Sequence, residues 1–246
     1  MSLRDYSIED VIEVLVKSGY TVALIGAGFS SEAGIEIPSP SSPRLWSLYG
    51  KYHTLQGFLS NPRDAWKYYT RLIKEILEIK LCPPYKELKQ LIRQGFIQSI
   101  ITTNIDGLFR KFGLNNVIEL HGSILKAKCL EGEEIVYWNK PPENIPPKCS
   151  DGEHILRPAI VFYGEKISYR QWIRAVVETD MAEALLVIGF SGKIAPSNML
   201  PLIVKRNKGK IIVIDPSPSP VTQIADIWIE SSASHTLKQL VKKLCH

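Results

Sequence analysis

Thr21-Val22-Ala23-Leu24-Ile25 is a short, partly β-branched apolar run that leads straight into Gly26-Ala27-Gly28, followed by Ser30, Ser31 and Glu32. Such a run reads as a buried strand, and the residues after the glycines read as the first turn of a helix. Strand, glycine turn and helix in immediate succession constrain the chain to an α/β layout in which backbone N–H groups and a helix dipole face an anion. Gly26 permits the tight turn, and Gly28 lets the backbone approach a pyrophosphate with no Cβ between. A turn that needs glycine only for its own geometry is the competing reading. Ser31 stands where a dinucleotide fingerprint has its third glycine, and no Asp or Glu lies between Glu36 and Asp64 to hold an adenosine ribose. Phosphate binding fits this pattern; hydride transfer by an ordinary nicotinamide dehydrogenase does not.

The alternation continues along the chain. Ser7 and Asp10 form a capping-box pattern ahead of Val11, Ile12 and Leu15, and Asn61-Pro62 opens a helix carrying Trp66, Tyr69 and Ile73. A further helix spans Tyr85 to Gln94, and others are expected near 168–178, 197–206 and 237–244. Strands are expected at Ile97 to Thr102, Val117 to Leu120, Ala184 to Ile188, Lys210 to Ile214 and Asp226 to Ile229. Residues 37–60 lack a pattern and read as a loop over the phosphate turn. The expected architecture is α/β, a doubly wound, Rossmann-like parallel sheet built from 1–36, 86–122 and 157–246. Residues 37–85 form a cofactor loop with a helical insert, and 123–156 a small inserted module. Gly26 to Ser31, Asn104 with Asp106, His121, Gly189 with Ser191, and Asp215 would then meet at strand ends, where such sheets bind ligands.

Charge narrows the partners. Thirty basic against 25 acidic residues, net +5, are spread without a tight run, so nothing signals a nucleic-acid surface. No apolar run reaches the ~18 residues of a membrane span, and MSLRDYSIEDV lacks the apolar core of a secretory signal. Four cysteines are too few for a secreted disulfide framework. The expected location is cytoplasmic.

Five segments, in order, resemble the sirtuins, NAD-dependent protein lysine deacylases: GAGFSSEAGI, TTNIDGL, LHGS, LRPAIVFYGE and VIGFSGKIAPSNMLP. The resemblance implies that NAD is the cofactor and an acyl-lysine protein or peptide the substrate. Lysine would be freed as the acyl group passes to ADP-ribose and nicotinamide leaves. It implies His121 as general base on a ribose hydroxyl, which suits imidazole near neutral pH. Asn104 would order the ribose or a water, and Asp106 would bond the departing carboxamide. Gly26, Ala27, Gly28, Ser30, Thr103, Gly189, Phe190, Ser191 and Asp215 fall in the NAD-holding segments. Ile160, Val161, Phe162, Tyr163, Gly164 and Glu165 fall in the segment that holds the peptide as an added strand.

The chain also departs from that family. Ile37-Pro38 is followed by Ser39-Pro40-Ser41 instead of the family's Asp-Phe-Arg, Thr103 replaces a glutamine, and Phe190 replaces a threonine. Arg44 could replace the arginine only with the loop redrawn. The lost aromatic shields the reacting ribose in the family, so NAD glycohydrolysis, ADP-ribosyl transfer, or NAD or ADP-ribose binding with little turnover are the alternatives. Sirtuins hold zinc with two Cys-x-x-Cys pairs. Here Cys129 and Cys149 remain, with Gly132 and Gly152 at the second positions, so zinc is not expected. A Cys129–Cys149 disulfide or two free thiols are the options.

Overall fold

The computed structural model describes residues 6–37 and 43–245. Ser7 and Asp10 cap one another reciprocally at the start of α1 (Ile8–Lys17), which turns Val11 and Leu15 inward. β1 (Thr21–Ile25) follows, buried at every residue. Gly26 is the N-cap of α2 (Ala27–Ser31), a five-residue helix. The helix therefore ends where its first turn was expected, because the chain coils at once after Gly26.

Residues 43–60 are not a loop. They form α3 (Pro43–Tyr49), a 3-10 turn (Gly50–His53) and α4 (Leu55–Ser60). Their order comes from packing instead of periodicity: Tyr49 and Tyr52 stack on Tyr68 at 4.9 and 5.6 Å, and Phe58 is fully buried beside Trp66. Residues 38–42, with Ser39-Pro40-Ser41, lie outside the described residues. Asn61 caps α5 (Pro62–Glu78), which buries Trp66, Tyr69 and Ile73 as core. The chain continues through α6 (Tyr85–Arg93), β2 (Ser99–Thr102), α7 (Leu108–Lys111) and β3 (Val117–Glu119). β4 (Gly122–Cys129), β5 (Ile135–Tyr137) and β6 (Leu156–Ile160) come next, then α8 (Tyr169–Met181), β7 (Ala184–Ile188), α9 (Leu200–Arg206), β8 (Lys210–Ile214), β9 (Ile227–Ile229) and α10 (Ala233–Leu244).

Six strands form one parallel sheet in the order β3-β2-β1-β7-β8-β9. Alternate residues feed two cores: Ala23, Ile25, Leu186 and Ile212 on one face, Val22, Leu24, Leu185 and Ile211 on the other. Helices cover both faces, as a doubly wound sheet requires. The chain builds outward from β1 through β2 and β3, then returns to add β7, β8 and β9 on the other side. The strand order thus reverses between β1 and β7, which opens a crevice at their C-terminal ends. A second sheet, antiparallel β5-β4-β6, begins at Gly122, immediately after His121, and ends at Ile160. Cys129, the last residue of β4, is disulfide-bonded to Cys149.

Candidate active site

At the reversal, two glycine turns pack backbone to backbone. The Gly28 N–H donates to the Gly189 carbonyl at 3.0 Å, and a Cβ on Gly26 would lie 2.6 Å from that same oxygen. Gly189 also has φ +57, the left-handed region. These glycines therefore let the β1 and β7 turns touch.

Beneath the turns sits a buried polar network whose proton directions follow from its members. Asn104 Nδ2 donates to the Gly26 carbonyl at 3.0 Å and to Ser30 Oγ at 2.7 Å. A carbonyl can only accept, which sets the amide's orientation. Ser30 donates its single hydrogen to Asp106 Oδ2 at 2.8 Å, so the Tyr85 hydroxyl, 2.9 Å away, must donate to Ser30. Asp106 Oδ1 takes the Leu108 N–H at 2.8 Å. Burial pushes the Asp106 carboxyl above the ordinary carboxylate range, opposed by the Leu108 and Ser30 donors. Both amide hydrogens of Asn104 are spent on protein, so its Oδ1 remains as an acceptor for a ligand.

His121 follows β3. Its Nδ1 lies 3.1 Å from the Thr103 carbonyl, which can only accept, so Nδ1 carries the proton and Nε2 a lone pair. Burial holds this imidazole below its ordinary pKa, with the Thr103 carbonyl pulling weakly the other way. The ring is neutral at pH 7 and is a base as it stands.

The segment after β6 is clamped from within. Arg157, only 4% exposed, grips Glu165 through two bonds of 2.6 and 2.7 Å, and Glu165 also accepts the Phe162 N–H at 2.9 Å. Val161 donates its N–H to the His121 carbonyl and Tyr163 donates to the His53 carbonyl, both at 2.8 Å. Residues 161–163 are thus tied along one edge to two histidines.

A cavity of about 610 Å³ joins these pieces. Ala27, Ser30, Thr103, Asn104, Asp106 and His121 line it, as do Val161, Phe162, Tyr163, Gly164 and Glu165. Gly26, Gly28, Gly189, Ser191 and Asp215 do not; they lie at the ends of β1, β7 and β8, strands that pair in register at Ile25, Ile188 and Ile214. Two of the expected residues turn their side chains elsewhere. Phe190 is 5% exposed and packs in the core with Leu24 and Val187, and Ile160 is 3% exposed in the opposite core. Their side chains hold the fold and are not presented to the cavity. His53, Ile35, Ile167 and Trp172 also line it, and Tyr85 supports it from below; the sequence reading missed all five as site residues. Three carried some signal: Ile35 closes the segment GAGFSSEAGI, Tyr85 opens an expected helix and Trp172 lies in another. His53 falls in the stretch without periodicity.

Cys129, Cys149 and Asp151 bring possible metal-donor atoms together in the small module. Cys129 and Cys149 are bonded to each other, and Gly132 and Gly152 offer no ligand. The Asp151 carboxylate lies within 4.8 Å of the sulfurs, but accepts from the Glu153 and His154 N–H groups and from His154 Nδ1. A closed tetrahedral site needs four ligands, and these residues do not fit one.

A model of the Sir2 family matches residues 26–196. NAD-dependent protein deacylase 2 of Pyrobaculum aerophilum is 32% identical over 238 residues, which cover 96% of this chain and 95% of that protein. NAD-dependent protein deacylase of Pyrococcus furiosus is 34% identical over 248 residues, covering 96% and 97%. A Sir2 homolog–NAD complex superposes with a TM-score of 0.88 at 33% identity, covering 98% of this chain and 94% of that one. A Sir2 protein bound to an acetylated peptide superposes with a TM-score of 0.86 at 25% identity, covering 97% and 98%.

Proposed function

The chain belongs to the Sir2 family, and from that premise we propose how it acts as an NAD-dependent protein lysine deacylase. One observation carries the assignment of roles: the Nε2 lone pair of His121, the unspent Oδ1 of Asn104 and the 161–165 segment share a single cavity beside the β1/β7 reversal. Bound NAD would supply the ribosyl carbon that accepts the acyl oxygen as nicotinamide leaves, and one water would complete the balance, so that acyl-lysine, NAD and water give free lysine, acyl-ADP-ribose and nicotinamide.

The chain's own groups divide the work. The paired turns at Gly26–Gly28 and Gly189 seat the pyrophosphate, and Ser191 and Asp215, on neighbouring strand ends, take the adenosine half. Asn104 Oδ1 accepts from a ribose hydroxyl or from a water beside it. His121 Nε2 removes the proton of a ribose hydroxyl, and the fixed Nδ1–H to Thr103 keeps the ring aimed as charge develops. Asp106, held by Ser30 and Leu108, receives the carboxamide N–H of nicotinamide. The acyl-lysine peptide adds as a strand beside residues 161–164. In this division the parallel-sheet domain (1–36, 86–122 and 157–246) carries the cofactor, 37–85 covers it, and 123–156 flanks the peptide without zinc. A cytoplasmic location and a partner list without nucleic acid belong to the same proposal; among the described residues no helix is long and apolar enough to cross a membrane.

Mass spectrometry of an acetyl-lysine peptide tests the reading. Deacetylation should require NAD, yield O-acetyl-ADP-ribose, and fall by about 10²–10⁴-fold in His121→Ala. Nicotinamide release that ignores the peptide would instead favour glycohydrolysis, the outcome to which the absent Asp-Phe-Arg segment points.

A further inference from the structure

His53 is the second histidine on the cavity wall, and the mechanism gives it no task. It is only 2% exposed. Its ring stands edge-on to Tyr68 and Tyr69, with centroids 5.6 and 5.7 Å away. Nε2 lies 2.9 Å from the Tyr68 hydroxyl. That hydroxyl has no other acceptor among the described residues, so the imidazole must take its hydrogen or leave a buried O–H unmade, at a cost of about 1–3 kcal/mol. Nε2 is therefore the acceptor, and Nδ1 carries the ring proton. Burial lowers the His53 pKa to about 4, so the ring is neutral at working pH. With Nε2 occupied, Nδ1–H is the polar group this residue has left for a ligand.

Its distance from the reacting centre follows from the backbone. The N–H groups of Val161 and Tyr163, two residues apart, bond the carbonyls of His121 and His53. Two residues of extended chain span about 6.6 Å. His121 and His53 thus stand near one another on the wall of a single cavity that apolar Ile35 and Phe162 also line, so a chain held by its carbonyl at His121 is directed toward His53 in the reading below.

On the deacylase reading above, we infer that His53 is a substrate-selecting residue whose Nδ1–H donates to an uncharged oxygen on the acyl chain, so that hydroxy- or oxo-acyl lysines such as 3-hydroxybutyryl-lysine are preferred over plain aliphatic ones of equal length. A carboxylate-ended chain is disfavoured there, because a buried anion facing a neutral donor loses its hydration without gaining a countercharge. Lys166, the cation on the cavity lining, is exposed to solvent.

The test compares acetyl, butyryl, 3-hydroxybutyryl and succinyl forms of one lysine peptide, by kcat/KM and by calorimetric binding with ADP-ribose present. Wild type should favour 3-hydroxybutyryl over butyryl by about tenfold, the effect of one buried hydrogen bond, with succinyl the poorest. His53→Phe should bring that ratio to one or below, in kcat/KM and in binding alike. His53→Asn, whose amide N–H can occupy the Nδ1 position, should keep most of the preference. Tyr68→Phe, which frees Nε2 and unlocks the tautomer, should weaken it, and this variant serves if His53→Phe does not fold. A wild-type ratio near one, a ratio unmoved by His53→Phe, or a succinyl preference would overturn the inference. Loss of turnover on every peptide with the binding ratio intact would count against the deacylase reading alone.

Discussion

His121 shows how one carbonyl can set a residue's chemistry. Thr103 holds Nδ1–H, so the lone pair on Nε2 is available without a tautomer change, and burial depresses the imidazole's pKa. Only the neutral ring is a base. In the mechanism proposed above, activity is therefore lost as pH falls through a value below about 6.5, and above that value this group no longer limits the rate. The acid limb of kcat/KM against pH should show an apparent pKa below that of free imidazole; a limb at or above 6.5 would mean that the ring is better solvated than the structure has it. At this scale the sequence revealed identity but not direction. Asn104, Asp106 and His121 were legible because each sits at the end of an apolar strand. Phe190 and Ile160 occupy equally telling positions, yet their side chains turn into the core. Tyr85 joins Ser30 across 55 residues and His53 joins Tyr68 through a packed aromatic cluster, contacts to which no local spacing corresponds.

Among the elements, the strands β1, β7 and β8 were readable to the residue, since an uninterrupted apolar run bounded by glycine or a turn has few other uses. The helices of 43–60 were not, because they are short and lack an amphipathic repeat; α5 orders them by offering Trp66 and Tyr68 to Phe58, Tyr49 and Tyr52. The small antiparallel sheet depends on a different bond. Cys129–Cys149 closes a loop of sequence separation 20, which is worth about 3 kcal/mol through the unfolded state. Denatured, unreduced protein should titrate two thiols, Cys82 and Cys245, and reduced protein four. Urea unfolding in reductant should lose about 3 kcal/mol. Four thiols before reduction would remove the disulfide from the account.

For the whole molecule, everything rests on the reversal between β1 and β7. The sheet brings two glycine turns into contact, sets the Asn104–Ser30–Asp106 network below them and His121 one strand beyond, and the antiparallel sheet carries residues 161–165 back to the same cavity. Function follows from that convergence and from no single motif. The most direct measurement is a crystal structure of the protein with ADP-ribose and an acetyl-lysine peptide. The account predicts a pyrophosphate over the Gly26–Gly28 and Gly189 turns, the distal ribose within hydrogen-bond reach of His121 Nε2 and Asn104 Oδ1, and the peptide running beside 161–164. A ribose bound out of reach of both side chains, with the peptide elsewhere, would contradict it.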